Sequence, residues 1–147
     1  MERSSTEFFV LRPEVAGGLG PKTVMDCSTH PPRVDELHYV FDGWLGDELL
    51  ETFPCFIATQ ALWTLLDDAG LSGVRAGPLH VSASEQYVEM YPERVLPPFV
   101  RLLVTGTPGK DDLGLKPPAR LVASRRALDV LRRRRLEQCD VEPVSAA

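Results

Sequence analysis

Two thiols and two imidazoles within the first 55 residues are the natural starting point for chemistry. Cys27-x-x-His30, followed by His38 and Cys55, supplies ligand types that zinc accepts. The spacing matches no compact zinc module, and Pro31-Pro32 follows His30 directly. The pattern therefore predicts surface histidines and a small buried thiol, with no metal site. A Cys–His nucleophile pair would need a partly exposed thiol beside a base. Cys55 lies in the apolar run FPCFI, which predicts burial, and Cys139 lies in EQCDVEP, where neighbouring acids disfavour the thiolate. His80 alternates within PLHVSAS as an ordinary strand residue, and neither a GxSxG elbow nor an HExxH pair occurs. Gly106-Thr-Pro-Gly-Lys110 resembles a phosphate loop at first sight. The required first glycine is replaced by Val104, however, and Asp111-Asp112 after the lysine would repel phosphate, so a strand-to-strand turn is predicted. No catalytic residue and no cofactor is expected. A small enzyme using His38 or His80 with Asp42 or Glu85 is the alternative.

Charge is more informative. Between Val34 and Val74 there is no Lys or Arg, yet there are eight acids: Asp35, Glu36, Asp42, Asp47, Glu48, Glu51, Asp67 and Asp68. Residues 1–33 are balanced, and residues 75–147 carry nine acids against twelve bases. The net charge of −5 is thus concentrated in one block. A field of one sign steers partners of the opposite sign. Within the block, Phe41-Asp-Gly-Trp-Leu-Gly-Asp-Glu-Leu-Leu-Glu51 sets Trp44 among carboxylates, the composition of an interface anchor with a charged rim. Asp42, Asp47, Glu48 and Glu51 are the expected steering charges and Trp44 the expected anchor. In the competing reading Trp44 fills the core and the acids merely solvate that face. Arg125, Arg126 and Arg132–Arg135 could serve a nucleic-acid reader, but no aromatic platform accompanies them and the chain is acidic overall. They read as a solvated helix end complementing the helix dipole, or as partners of the acidic block. The expected partner is a protein or peptide of basic character, with no nucleic acid and no membrane. A homo-oligomer is also compatible.

The elements that must carry these residues are short, because thirteen prolines and eleven glycines punctuate the chain. Glu7–Arg12, Leu37–Phe41, Pro78–Ala83 and Phe99–Thr105 read as strands. Pro13–Lys22 and Gly106–Pro118 read as loops, Leu45–Thr52 as one or two helical turns, and Ser84–Met90 as a capped helix. One pattern occurs twice. Cys55–Thr59 leads through a hydroxyl cap into Ala61–Ala69, with Leu62, Trp63, Leu65 and Leu66 at helical spacing, and Arg120–Ser124 leads into Ala127, Leu128, Val130 and Leu131. A shift of 65 residues aligns Ile57 with Val122, Thr59 with Ser124 and Leu66 with Leu131. This is either an ancient duplication or the coincidence of two common units. Length and composition predict one domain over 1–147, of α+β class, with a mixed or antiparallel sheet and two or three short amphipathic helices. The three cysteines (an odd number, widely spaced) predict free thiols. No run approaches the ~20 apolar residues of a membrane span and the N-terminus does not read as a secretory signal, so the cytoplasm is the expected location.

The segments FFVLRPEVAGGLG, LHYVFDGWLGDELLETFPCFIAT and RLVASRRALDVLRRRRLEQCDVEP resemble small bacterial proteins encoded beside polymorphic toxins. Leu121–Leu131, followed by Cys139-Asp-Val-Glu142, is similar to the C-terminal signature of immunity-protein family eleven. Arg125 stands where such proteins often carry an acid. The resemblance implies neutralisation of a cognate toxin by tight binding, without turnover. An accessory protein of a bacterial biosynthetic cluster, binding a basic peptide or small molecule near Trp44, is the alternative from a second class.

Overall fold

The computed structural model describes residues 7–144. In chain order the elements are β1 (Phe8–Arg12), β2 (Gly17–Leu19), β3 (Val24–Asp26), β4 (Arg33–Glu36), β5 (His38–Phe41), β6 (Leu49–Thr52), β7 (Cys55–Thr59), α1 (Gln60–Asp68), β8 (Val74–Gly77), β9 (His80–Ala83), α2 (Glu85–Met90), β10 (Phe99–Val104), β11 (Leu113–Lys116), β12 (Arg120–Ser124), α3 (Arg125–Leu131) and β13 (Asp140–Pro143). Strand dominates, mostly in antiparallel sheets, with three short helices, a pattern compatible with the expected α+β class.

Two four-stranded sheets share one plan. Their orders are β6-β7-β10-β8 and β11-β12-β1-β13, with every neighbouring pair antiparallel. Each contains a hairpin, a helix that leaves its second strand, and a return strand on the far side of a central strand. The register of the central strands agrees residue by residue, while the hairpins β6-β7 and β11-β12 differ by one position. Phe99 faces Thr59 as Phe8 faces Ser124, and Leu102 faces Ala76 as Leu11 faces Val141. The 65-residue correspondence thus extends from the sequence matches to the pairing of the central strands. The central strands are exchanged: β1, which precedes the first hairpin, completes the second sheet, and β10, which precedes the second hairpin, completes the first. Neither sheet can close without chain from the other half.

The same local chemistry ends both hairpins. Thr59 Oγ1 accepts the Leu62 N–H at the start of α1, and Ser124 Oγ accepts the Ala127 N–H at the start of α3. Each hydroxyl in turn donates to an acid just ahead of its own hairpin, Thr59 to Glu48 at 2.6 Å and Ser124 to Asp112 at 2.7 Å. α1 and α3 then pack Leu62, Leu66, Leu128 and Leu131 into a core shared by both sheets. Burying each leucine contributes about 2 kcal/mol. A second core lies on the other side of the first sheet, where Tyr39, Phe41, Leu50, Ile57, Tyr87 and Phe99 meet beneath the β2-β5-β9 layer and α2. Here the Tyr39 hydroxyl accepts from Ala16 N and donates to the Glu51 carbonyl, and burial raises its pKa to about 12.

Three local expectations need correction. Leu45–Thr52 contains no helical turn: Leu49–Thr52 is strand β6, because Leu49 and Leu50 face the two separate cores. The stretch read as loop over Pro13–Lys22 contains β2, where a Cβ on Gly17 would come within 1.9 Å of the Val40 carbonyl oxygen. That close approach needs glycine. The loop read over Gly106–Pro118 contains β11, whose Leu113 enters the shared core. The expected turn is confined to its first part, where the Asp111 carboxylate accepts from Thr107 N.

The twin caps predict a matched pair of defects. Thr59→Ala and Ser124→Ala should each lower stability by about 1–2 kcal/mol in urea unfolding, from loss of the cap and the acid bond together. A loss at one position with none at the other would show that the two sites are not equivalent.

Candidate functional site

The acidic segment enters the fold through Glu14. This buried carboxylate accepts from Leu45 N at 2.5 Å and Asp47 N at 3.2 Å, and so shapes the loop that carries Trp44. Gly46 in that loop has φ +111°, and the Arg135 guanidinium lies 3.0 Å from where its Cβ would stand. Trp44 is half-buried. Its indole N–H donates to the Asp47 carbonyl at 2.8 Å, and its ring meets Phe41 and Phe99 edge-on. It is therefore anchored to the second core and also lines a cleft of about 190 Å³ with Gly46, Glu48, Ala61, Pro97 and Pro98. Trp44 is thus part core and part cleft wall.

The carboxylates do not form the expected common field. Asp47 is fully buried: its two oxygens accept from Glu137 N at 2.9 Å and Gln138 N at 2.6 Å, and Arg135 approaches to 4.0 Å. Glu48 binds Thr59 and Arg134. As steering charges these two are corrected, since each is consumed inside the molecule. The cause is the arginine-rich segment after α3, which folds back onto the acidic block. Glu51 is half-buried on another surface, in a cleft with Arg12, Phe53 and Arg120. Burial raises its pKa against the pull of Arg120 and Arg12. Only Asp42 remains both exposed and beside Trp44's side of the molecule, accepting from Ser84 Oγ at 2.7 Å.

That bond leads to a feature the charge count did not locate. α2 buries Tyr87, but Glu85, Val88, Glu89 and Met90 stand in solvent, followed by exposed Tyr91, Glu93 and Val95. Val95 is 86% exposed, Leu45 58%, Met90 57% and Val88 52%. The Arg94 guanidinium lies over the Trp44 and Tyr91 rings, 5.2 and 5.3 Å from their centroids, and joins the two parts into one face. Exposed apolar side chains thus stand at Leu45 and along Val88–Val95, interspersed with exposed Glu85, Glu89 and Glu93, and Asp42 bonds to the cap of α2. The helical pattern of Ser84–Met90 was readable, but which of its faces lacks a cover depends on tertiary packing.

The candidate nucleophiles and bases serve the framework. His38 Nδ1 accepts from Lys22 N at 3.2 Å, so Nε2 carries the proton and donates to Ser82 Oγ at 2.8 Å. That tautomer cannot deprotonate the serine. Burial, with Lys22 and His80 nearby, lowers the His38 pKa and keeps the ring neutral. Burial also raises the Cys55 pKa and pushes Cys139 up to about 11. Among the described residues no three His, Cys, Asp or Glu side chains converge as a metal site. No protein-family model matches the chain, and no curated protein matches it either.

These placements separate the acids experimentally. Asp47→Ala strands two buried amide protons and an arginine, and should cost about 3 kcal/mol in urea unfolding, whereas Asp42→Ala should cost under about 0.5 kcal/mol. Equal effects would contradict the assigned burial. At neutral pH a disulfide reagent should modify exposed Cys27 quickly and Cys55 and Cys139 slowly. Two or more fast thiols would contradict the packing of the other cysteines.

Proposed function

We propose that this chain is a non-catalytic protein-binding module that captures a basic partner through the face formed by α2 and Trp44. The observation that carries the reading is the exposed group Leu45, Val88, Met90, Tyr91 and Val95 beside four exposed acids. Large side chains left in water on one face mark an interaction surface. The acidic rim selects a cationic partner and raises its association rate. Arg94 is stacked on aromatic rings, and Arg134, which lines the Trp44 cleft, is paired with Glu48.

The resemblance to immunity proteins fits this mode: a toxin domain of basic surface, such as a nuclease, would be held and silenced without turnover. Its site would be the cytoplasm, where three free thiols are stable. The size of the Trp44 cleft supports the second reading only in part. About 190 Å³ is below the ~300 Å³ at which small-molecule pockets begin, and suits one inserted side chain of a protein or peptide. A basic peptide bound by an accessory protein would use the same face.

The test uses the full chain as bait in extract of its native host at low ionic strength. Wild type should retain a protein with a basic domain, and the Val88→Asp, Met90→Asp double variant should lose it while unfolding at an unchanged urea concentration. Retention by the double variant would remove the α2 face from the binding surface.

A further inference from the structure

The Arg101 guanidinium is the least accounted-for polar group in the fold. Its side chain leaves β10 on the same sheet face as Phe99, and Nη2 reaches the Cys55 sulfur at 3.6 Å. Nε is buried and has no hydrogen-bond partner. Among the described residues no carboxylate lies within 4.0 Å of this guanidinium. A thiol is a poor acceptor and supplies no opposing charge while burial keeps it protonated. A buried cationic donor left in this state is costly and calls for an acceptor.

The surroundings indicate what kind. Arg101 lines a cleft of about 130 Å³ together with Arg75, Thr105, Pro54 and Cys55, and no acid borders it. Arg75 belongs to β8, paired with β10 through Leu103. Two guanidiniums and a hydroxyl therefore share a concave site with a surplus of two positive charges. Its volume is several times the ~30 Å³ share of one water, enough for an anion that keeps part of its hydration. We propose that this cleft binds an oxyanion at the Arg101 guanidinium, with Arg75 closing the open side. Guanidinium forks recognise phosphate and carboxylate in this way. The anion is either a free phosphate-like ion or an acidic side chain of a bound protein. The site is independent of the α2 face, and its test does not require the partner of that face.

The Arg101 Nε–Hε signal in a nitrogen-15 spectrum reads the site directly, and is assigned by its loss in Arg101→Lys. The full chain is titrated with inorganic phosphate against chloride at matched ionic strength, then with acetate and with a Glu-rich hexapeptide. A saturable shift of Arg101 Hε is expected, with affinity falling at least fivefold in Arg75→Gln, whose exposed position spares the fold. Saturation by phosphate alone supports a free ion, and tighter saturation by the hexapeptide supports a protein carboxylate. Absence of any saturable shift, or an identical shift in Arg75→Gln, would overturn the proposal and leave water as the acceptor.

Discussion

A carboxylate placed just ahead of each hairpin holds this fold together. Glu48 and Asp112 each accept the hydroxyl proton of the residue that caps the following helix, and each is neutralised by an arginine, Arg134 and Arg126 respectively. The bond closes the open end of the hairpin and fixes where the helix starts. Chain from the opposite half completes the arrangement. Ser72, after α1, donates its N–H to Asp112, and Glu137, after α3, donates its N–H to Asp47 beside Glu48. With the exchanged central strands, these contacts make each half a structural part of the other. For Asp112, burial opposes ionisation, but the bonds from Ser124, Ser72 and Arg126 outweigh it and hold the pKa below its ordinary value. Its contribution is therefore complete above the ordinary carboxylate range and fades as pH falls through the lowered value.

This constraint relocates the proposed contact surface. Because Arg134 and Arg135 pair with Glu48 and Asp47, the stretch around Trp44 presents less net field than its composition implies. Of the four carboxylates nearest Trp44 only Asp42 remains exposed, where this stretch meets α2, while Asp67 and Asp68 stand in solvent on α1. The acids of α2 lie outside the cation-free block, and they supply the field instead. Glu48 still borders the Trp44 cleft, so the element that locks the first hairpin also forms a wall of the proposed contact surface.

Much of this was legible in the residues, and the failures have common causes. Hydroxyl caps before apolar helical spacing located α1, α2 and α3, because capping is a local interaction. The apolar setting of Cys55 correctly indicated burial, and Asp111 correctly marked Gly106–Lys110 as a turn. Strand exchange was invisible: β1 and β12 lie more than a hundred residues apart, and no local pattern in FFVLR names its neighbour. The four-residue strands β6 and β11 were missed, since LLET has no alternation and LGLK carries a glycine. Asp47 shows the limit of charge counting. Its sequence neighbours suggest a solvated acid, whereas its actual neighbours are backbone amides ninety residues away.

The central claim is that partner contact has passed from the cation-free segment to the α2 face. Photo-crosslinking in the native host tests it most directly, with a benzophenone amino acid placed in turn at Val88, Val95, Asp67 and Asp68. The account predicts one common adduct from positions 88 and 95 and none from 67 or 68. An adduct from the aspartate positions alone would contradict it.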